Sequence, residues 1–192
     1  MKKIIPFLIS AILIGTIPSK AQSYKAANET STLSVLGTST LHDWKINAEK
    51  IEGSASIEMS DKTLSNIAHL ELIVPVADMH SGLDAMDNHM HTALSINNSN
   101  SIKFKLVKTN KISPNSIGGY TIQADGELTI ANNTKPVQLQ ATMEIKNNII
   151  RFFGETLLEM TTFGVSPPSA EMGSIQTENG VKIVFDVTFN KN

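Results

Sequence analysis

From Thr30 onward the chain alternates apolar and polar residues with a period of two. Leu33, Val35 and Gly37 share one face of an extended run, with Ser34, Leu36 and Thr38 on the other. Ile46 and Ile51 flank a polar segment, and Gly53 to Ile57 starts another run. Leu70, Leu72, Val74 and Val76 alternate with His69, Glu71 and Ile73, and Ile102, Phe104 and Leu106 with Lys103 and Lys105. The same pattern recurs at Tyr120, Ile122, Ala124 and Leu128, at Val137, Leu139, Ala141, Met143 and Ile145, and at Val181, Ile183, Phe185, Val187 and Phe189. Successive strand residues point to opposite faces, so each run predicts a strand with one apolar and one polar face. Turn residues separate the runs at Ser113-Pro114-Asn115, Gly118-Gly119, Asn132-Asn133, Asn147-Asn148 and Asn179-Gly180. Asn147-Asn148 tolerates positive φ and predicts a tight hairpin. One stretch, Ser81 to Ser95, breaks the pattern: Leu83, Met86, Met90, Ala93 and Leu94 recur at helical spacing, and Ser81 is placed to cap a short amphipathic helix.

The expected fold is all-β: about eight antiparallel strands, with the helix between the fourth and fifth. Closure into an up-and-down barrel removes the exposed edges. A barrel of about eight strands is just wide enough to be filled by side chains or to hold one small ligand.

The start of the chain changes the domain count. Met1-Lys2-Lys3 is basic, Ile4 to Ile17 is almost continuously apolar, and Ser19-Lys20-Ala21 places small residues on either side of Lys20. This is the pattern of a secretory signal peptide cut after Ala21. The apolar run falls short of the roughly 20 residues that span a bilayer, and no second such run follows, so the chain is not expected to span a membrane. The expected organisation is a signal peptide over 1–21, a mature N-terminal tail over 22–29 and one barrel domain over 30–192, in the periplasm or another extracytoplasmic compartment. No cysteine is present, which excludes disulfides and lipobox acylation. Loss of Lys2, Lys3 and Lys20 takes the formal charge from −2 to −5. With a single Arg, Arg151, and no basic cluster, nothing points to nucleic acid.

Candidate chemistry is sparse. The inward faces of the strands would place Leu70, Leu72, Val74, Phe104, Leu106, Tyr120 and Ile122 with Val137, Leu139, Phe152, Ile183 and Phe185 around a barrel axis. They either line an apolar tunnel or interlock as a filled core, and alternation permits both. Met79, Met86 and Met90, on or beside the helix stripe, would close one barrel end or adapt to varied ligands. Asp84, Asp87 and His91 fall on one helix flank, which reads as a solvated face; His89 falls on another, so no metal site is expected. His42-Asp43-Trp44 reads as a bend with a packed indole, since no nucleophile motif accompanies it. Arg151 and Glu155 share a strand face and read as a surface pair. No enzyme activity and no cofactor are expected.

Three stretches resemble the YceI-like domain family. They are Gly37-Thr38-Ser39-Thr40-Leu41-His42-Asp43-Trp44, similar to the entry strands of Bacteroidetes-type variants; Asp125 to Ile130 followed by Thr134-Lys135-Pro136-Val137; and Met160-Thr161-Thr162-Phe163-Gly164-Val165 followed by Pro167-Pro168 and the Gly173 to Gly180 hairpin. Asn132 stands where that family usually has Gly, and Asn is the next best residue for a left-handed turn. The resemblance implies an extended lipocalin-like barrel with an amphipathic helix at its mouth. It further implies a polyisoprenoid or other long-chain amphiphilic lipid inside, export to the bacterial periplasm, and a possible homodimer. The alternative is a structural or stress-linked interaction protein with a filled core. The family's short charged helix motif is here Asp84 to His91, without Lys or Arg, which argues against an anionic head group at that place.

Overall fold

The computed structural model describes residues 21–94 and 98–192. Twelve strands and one helix are described in it: β1 Gln22–Ala26, β2 Thr32–Ser39, β3 Asp43–Ala48, β4 Glu52–Ser60, β5 Thr63–Pro75, β6 Met79–His80, α1 Asp84–Ala93, β7 Ser101–Pro114, β8 Tyr120–Ile130, β9 Asn133–Lys146, β10 Ile149–Glu159, β11 Ser169–Ala170 and β12 Ile175–Lys191. The signal-peptide reading rests on residues that, apart from Ala21, lie outside the described ones, as does Ser95 at the expected end of the helix.

All pairings are antiparallel. Eight strands close a ring in the order β1-β4-β5-β7-β8-β9-β10-β12, sealed where β12 returns to β1. From β4 to β12 the ring is an up-and-down meander, as expected. The number of strands agrees with the sequence reading, but the membership differs. β1 was read as a tail ahead of the domain; Tyr24 instead sits opposite Ala55 on one side and Lys191 on the other, with its side chain almost wholly buried. The hairpin β2–β3 branches from β12 beyond the point where β1 ends, and continues through Asn47–His80 and Ala48–Met79 pairs to β6. The wall beside β12 is therefore β1 at one end of the barrel and β2–β3 at the other.

The ring turns on three two-residue hairpins, Asp61-Lys62, Ala131-Asn132 and Asn147-Asn148, each with positive φ at both residues. This backbone twist matches that of the flanking strands. Asn132 takes φ 62 and donates its amide to the Asn98 carbonyl at 2.9 Å.

Arg151 on β10 does not pair with Glu155. The register sets Arg151 opposite Glu144 and one diagonal step from Asp186, to which it donates two hydrogen bonds, one of them 2.6 Å from Nε. The Asp186 carboxylate, foremost, raises its pKa and keeps it ionised. Glu155 pairs across to Lys182 instead, at 3.5 Å. In a sheet, cross-strand neighbours lie closer than residues four apart on one strand.

Two clusters of buried side chains divide the interior. The larger fills the end closed by β1 and β4, around Tyr24, Ile57, Met143, Ile150 and Phe189. The smaller lies at the other end, where Met90 of α1 meets Ile46, Val74 and Met79.

Candidate functional site

Between the two clusters the barrel is hollow. A cavity of about 550 Å³ opens under α1, walled by β2, β3, the helix and the ends of β7, β8, β10 and β12. A second space of about 150 Å³ lies deeper on the axis, and among the described residues only Thr156 lines it with a polar side chain. Val35, Met79, Ile102, Ile130, Leu158 and Ile183 line both and form a collar between mouth and deep chamber. The mouth is within the usual size range of small-molecule sites, roughly 300–1,000 Å³.

Of the residues expected around the axis, Leu70, Leu72, Val74, Phe104, Leu106, Ile122, Leu139, Phe152, Ile183 and Phe185 line the deep chamber. Met86 and Met90 line the mouth. Two lie elsewhere. Tyr120 packs at the far end, where its hydroxyl accepts the Leu64 amide at 3.1 Å beside a polar surface cleft. Val137 is half-buried and borders neither space. Leu70, Leu72, Leu106, Leu139 and Phe185 point inward yet remain only partly buried, because the space in front of them is empty. The reading from sequence posed tunnel and filled core as alternatives; the barrel is hollow at the helix end and solid at the other.

Sequence reasoning placed Met79 beside the helix stripe but missed most of the mouth: Val35, Ile46, Ile130, Leu158, Met160 and Phe163. Val35 lay on a recognised alternating run, so its inward face was available as a signal. Met160 and Phe163 sit in a single 3-10 turn that carries no periodicity.

Trp44, the only tryptophan, forms part of the mouth wall. Its indole lies flat on Gly37 across the β2–β3 pair, where a Cβ would overlap the ring, and its Nε1–H donates to the Thr38 carbonyl at 3.2 Å. Gly37→Ala is therefore expected to lift the indole off the hairpin. The cost is about 1–3 kcal/mol, as for other overpacking changes, and tryptophan emission shifts to longer wavelength; an unshifted spectrum would contradict this packing. His42 lines the rim, with Nδ1 2.7 Å from the Asp43 carbonyl. Ser39 on the same rim has its hydroxyl engaged with the backbone of Leu41 and His42.

The helix is held differently from expectation. α1 begins at Asp84, and Ser81 does not cap it as the N-cap residue. Gly82, at φ 87, turns the chain so that Ser81 faces back toward the first helical turn. Asp87 accepts the Ser81 amide at 2.7 Å and its hydroxyl at 2.6 Å, and approaches His80 Nδ1 at 3.2 Å. His91 donates Nε2–H to the Val76 carbonyl at 3.1 Å. Asp87 and His91 thus anchor the helix to the segment after β5, while Asp84 and His89 face the mouth. The Asp87 flank is a clamp and not a solvated face. Among the described residues no group of three His, Cys, Asp or Glu side chains converges on a metal-sized site.

The Ser81 hydroxyl, foremost, holds the Asp87 carboxyl below its ordinary value against the opposing effect of burial. A lowered folded-state pKa contributes stability above the usual carboxylate range, and this is lost as pH falls through the lowered value. Acidification from about pH 5 to about pH 2 should therefore release the helix, and Asp87→Asn should flatten that part of the melting-temperature profile. An unchanged profile in the variant would show that Asp87 does not anchor α1.

Among the described residues, those lining the mouth include Asp84 and Glu159 but neither Lys nor Arg.

No curated protein matches the chain. Solved structures of similar fold exist. BcnA of Burkholderia cenocepacia is 15% identical with a TM-score of 0.65, covering 85% of this chain and 98% of its own. A polyisoprenoid binding domain from Saccharophagus degradans, described as implicated in plant cell wall breakdown, is 10% identical with a TM-score of 0.66, covering 89% and 99%. The Campylobacter jejuni YCEI protein is 14% identical with a TM-score of 0.56, covering 99% and 93%. The family model of the YceI-like domain matches residues 24–189, from the strand that seals the barrel to the strand it seals against. This chain belongs to the YceI-like domain family.

Proposed function

We propose that this protein is an exported, non-catalytic carrier that takes the hydrocarbon tail of an isoprenoid or comparable long-chain lipid into its barrel. The observation that carries the reading is the hollow: a polar-rimmed mouth leading through an apolar collar to a chamber whose inward leucines and phenylalanines are left half-buried. A solved domain of similar fold described as polyisoprenoid binding supports the same reading. Burying about 20 tail carbons at roughly 0.8 kcal/mol each contributes on the order of 16 kcal/mol before association and ordering costs. Those costs are large, yet micromolar or tighter binding remains within reach without polar contacts. The acidic, lysine-free rim favours a neutral head group over an anionic one, since an anion there would meet Asp84 and Glu159 without a counter-charge. The non-catalytic part of the reading is supported by the lack of a nucleophile motif in the sequence and by Ser39, whose hydroxyl is engaged in a turn. The export part rests on the basic and apolar start of the sequence.

Native mass spectrometry of the purified protein, before and after solvent extraction, tests this. A mass that falls on extraction and returns with added prenol supports the reading. Equal masses, with no uptake of prenol by extracted protein, would refute it. Cell fractionation with sequencing of the mature N-terminus tests export, for which Gln22 is the expected first residue.

A further inference from the structure

The hollow stops partway along the barrel, and the side chains that stop it are specific. β12 runs from mouth to floor: Val181 faces the mouth, Ile183 the collar and Phe185 the deep chamber. At Phe189 the space ends. Phe152 of β10 and Phe189 meet edge to face, with ring centroids 5.9 Å apart at 85°, and are 4% and 0% exposed. Behind them Tyr24, Ile57, Met143 and Ile150 are packed in the same cluster and border neither space. The aromatic pair is thus a floor resting on a solid plug.

Resting on the lipid-binding reading above, we infer that this floor gauges tail length: the barrel accommodates tails of on the order of 20 carbons and leaves the remainder of longer ones outside. On β10 the collar residue Leu158 and the floor residue Phe152 are six residues apart. At about 3.3 Å per residue and a strand tilt of about 40°, the drop from collar to floor is roughly 15 Å. An extended chain advances about 1.2 Å per bond, so the deep chamber takes about 12 bonds and the mouth the rest. Once the tail tip meets Phe152 and Phe189, further carbons gain no burial. Close-packed interiors do not yield by a methylene without cost.

Two positions set the gauge in opposite directions. Ala124 lines the chamber opposite Leu139; Ala124→Leu places three further carbons in existing space and shortens the tunnel. Phe152→Leu removes the ring from the floor and deepens it. The probes are farnesol, geranylgeraniol and solanesol, with three, four and nine isoprene units, each titrated into extracted protein. In the wild type, affinity should rise at least tenfold from farnesol to geranylgeraniol and gain less than threefold more with solanesol. Ala124→Leu should weaken geranylgeraniol at least tenfold while changing farnesol less than threefold. Phe152→Leu should restore a gain beyond geranylgeraniol. Affinity that keeps climbing to solanesol in the wild type, or an Ala124→Leu variant that weakens all three prenols equally, would overturn the gauge while leaving lipid binding intact. Failure of every prenol to bind the wild type would instead refute the lipid reading, and the gauge with it.

Discussion

Replacing Ile183 by Trp should empty the barrel of lipid while leaving it folded. Ile183 lies on the collar that both spaces share, midway along β12, so its side chain stands at the passage from mouth to deep chamber. An indole there would occupy the passage and cut off the deep chamber. Losing about half of a 20-carbon tail's burial at roughly 0.8 kcal/mol per methylene far exceeds the 2.7 kcal/mol or so that corresponds to a hundredfold change in affinity. The expected result is at least a hundredfold loss in affinity for a prenol probe and no lipid carried through purification. Because the ring enters space already vacant, the melting temperature should change little or rise. A stably folded variant that still carried lipid would place the ligand elsewhere.

Tyr24→Ala should be the most damaging single truncation for stability. The ring is 1% exposed and sits in the larger cluster, on the one strand that seals the barrel between β4 and β12. Truncating a buried aromatic costs about 3–5 kcal/mol. In a protein of this size that corresponds to roughly 10 °C or more in melting temperature. Removal of residues 22–26 altogether should go further, because it frees the edges of β4 and β12, and exposed edges template aggregation. A Tyr24→Ala protein that melted within two or three degrees of wild type would show that β1 contributes little to closure.

Much of the architecture was legible because most strands expose one face to water, which forces the period-two pattern. The runs at Leu70 to Val76, Tyr120 to Leu128 and Val181 to Phe189 are of this kind. β10 was harder to see. Its doublets Ile149-Ile150, Phe152-Phe153 and Leu157-Leu158 put apolar residues on both faces. The outward Phe153 is covered by the Arg151 guanidinium, 4.6 Å from the ring centroid, and the outward Leu157 is left exposed. β1 was invisible for another reason. Five residues with one buried aromatic cannot be told from a linker until the partners on either side are known.

The site was legible as a face but not as a volume. Alternation tells which side chains point inward; it cannot tell whether those from opposite walls meet. That depends on how the ring closes, and the closing pair, β1 with β12, joins the two ends of the described chain. The Asp87 clamp escaped for a similar reason. Helical periodicity places Asp87 on a flank, and only the positive φ of Gly82 brings Ser81 back to meet it.

The seal between β1 and β12 joins the beginning of the described chain to its end. A ribosome releases the first of these strands well before the second, so Tyr24 has no complete berth until Phe189 and Lys191 emerge. The meander between them can assemble step by step from neighbours, but the final hoop needs the longest loop closure in the molecule, and such contacts form late. A chain that stops short of Phe189 is therefore an open, unsealed sheet, and the hollow is enclosed only once β12 is complete.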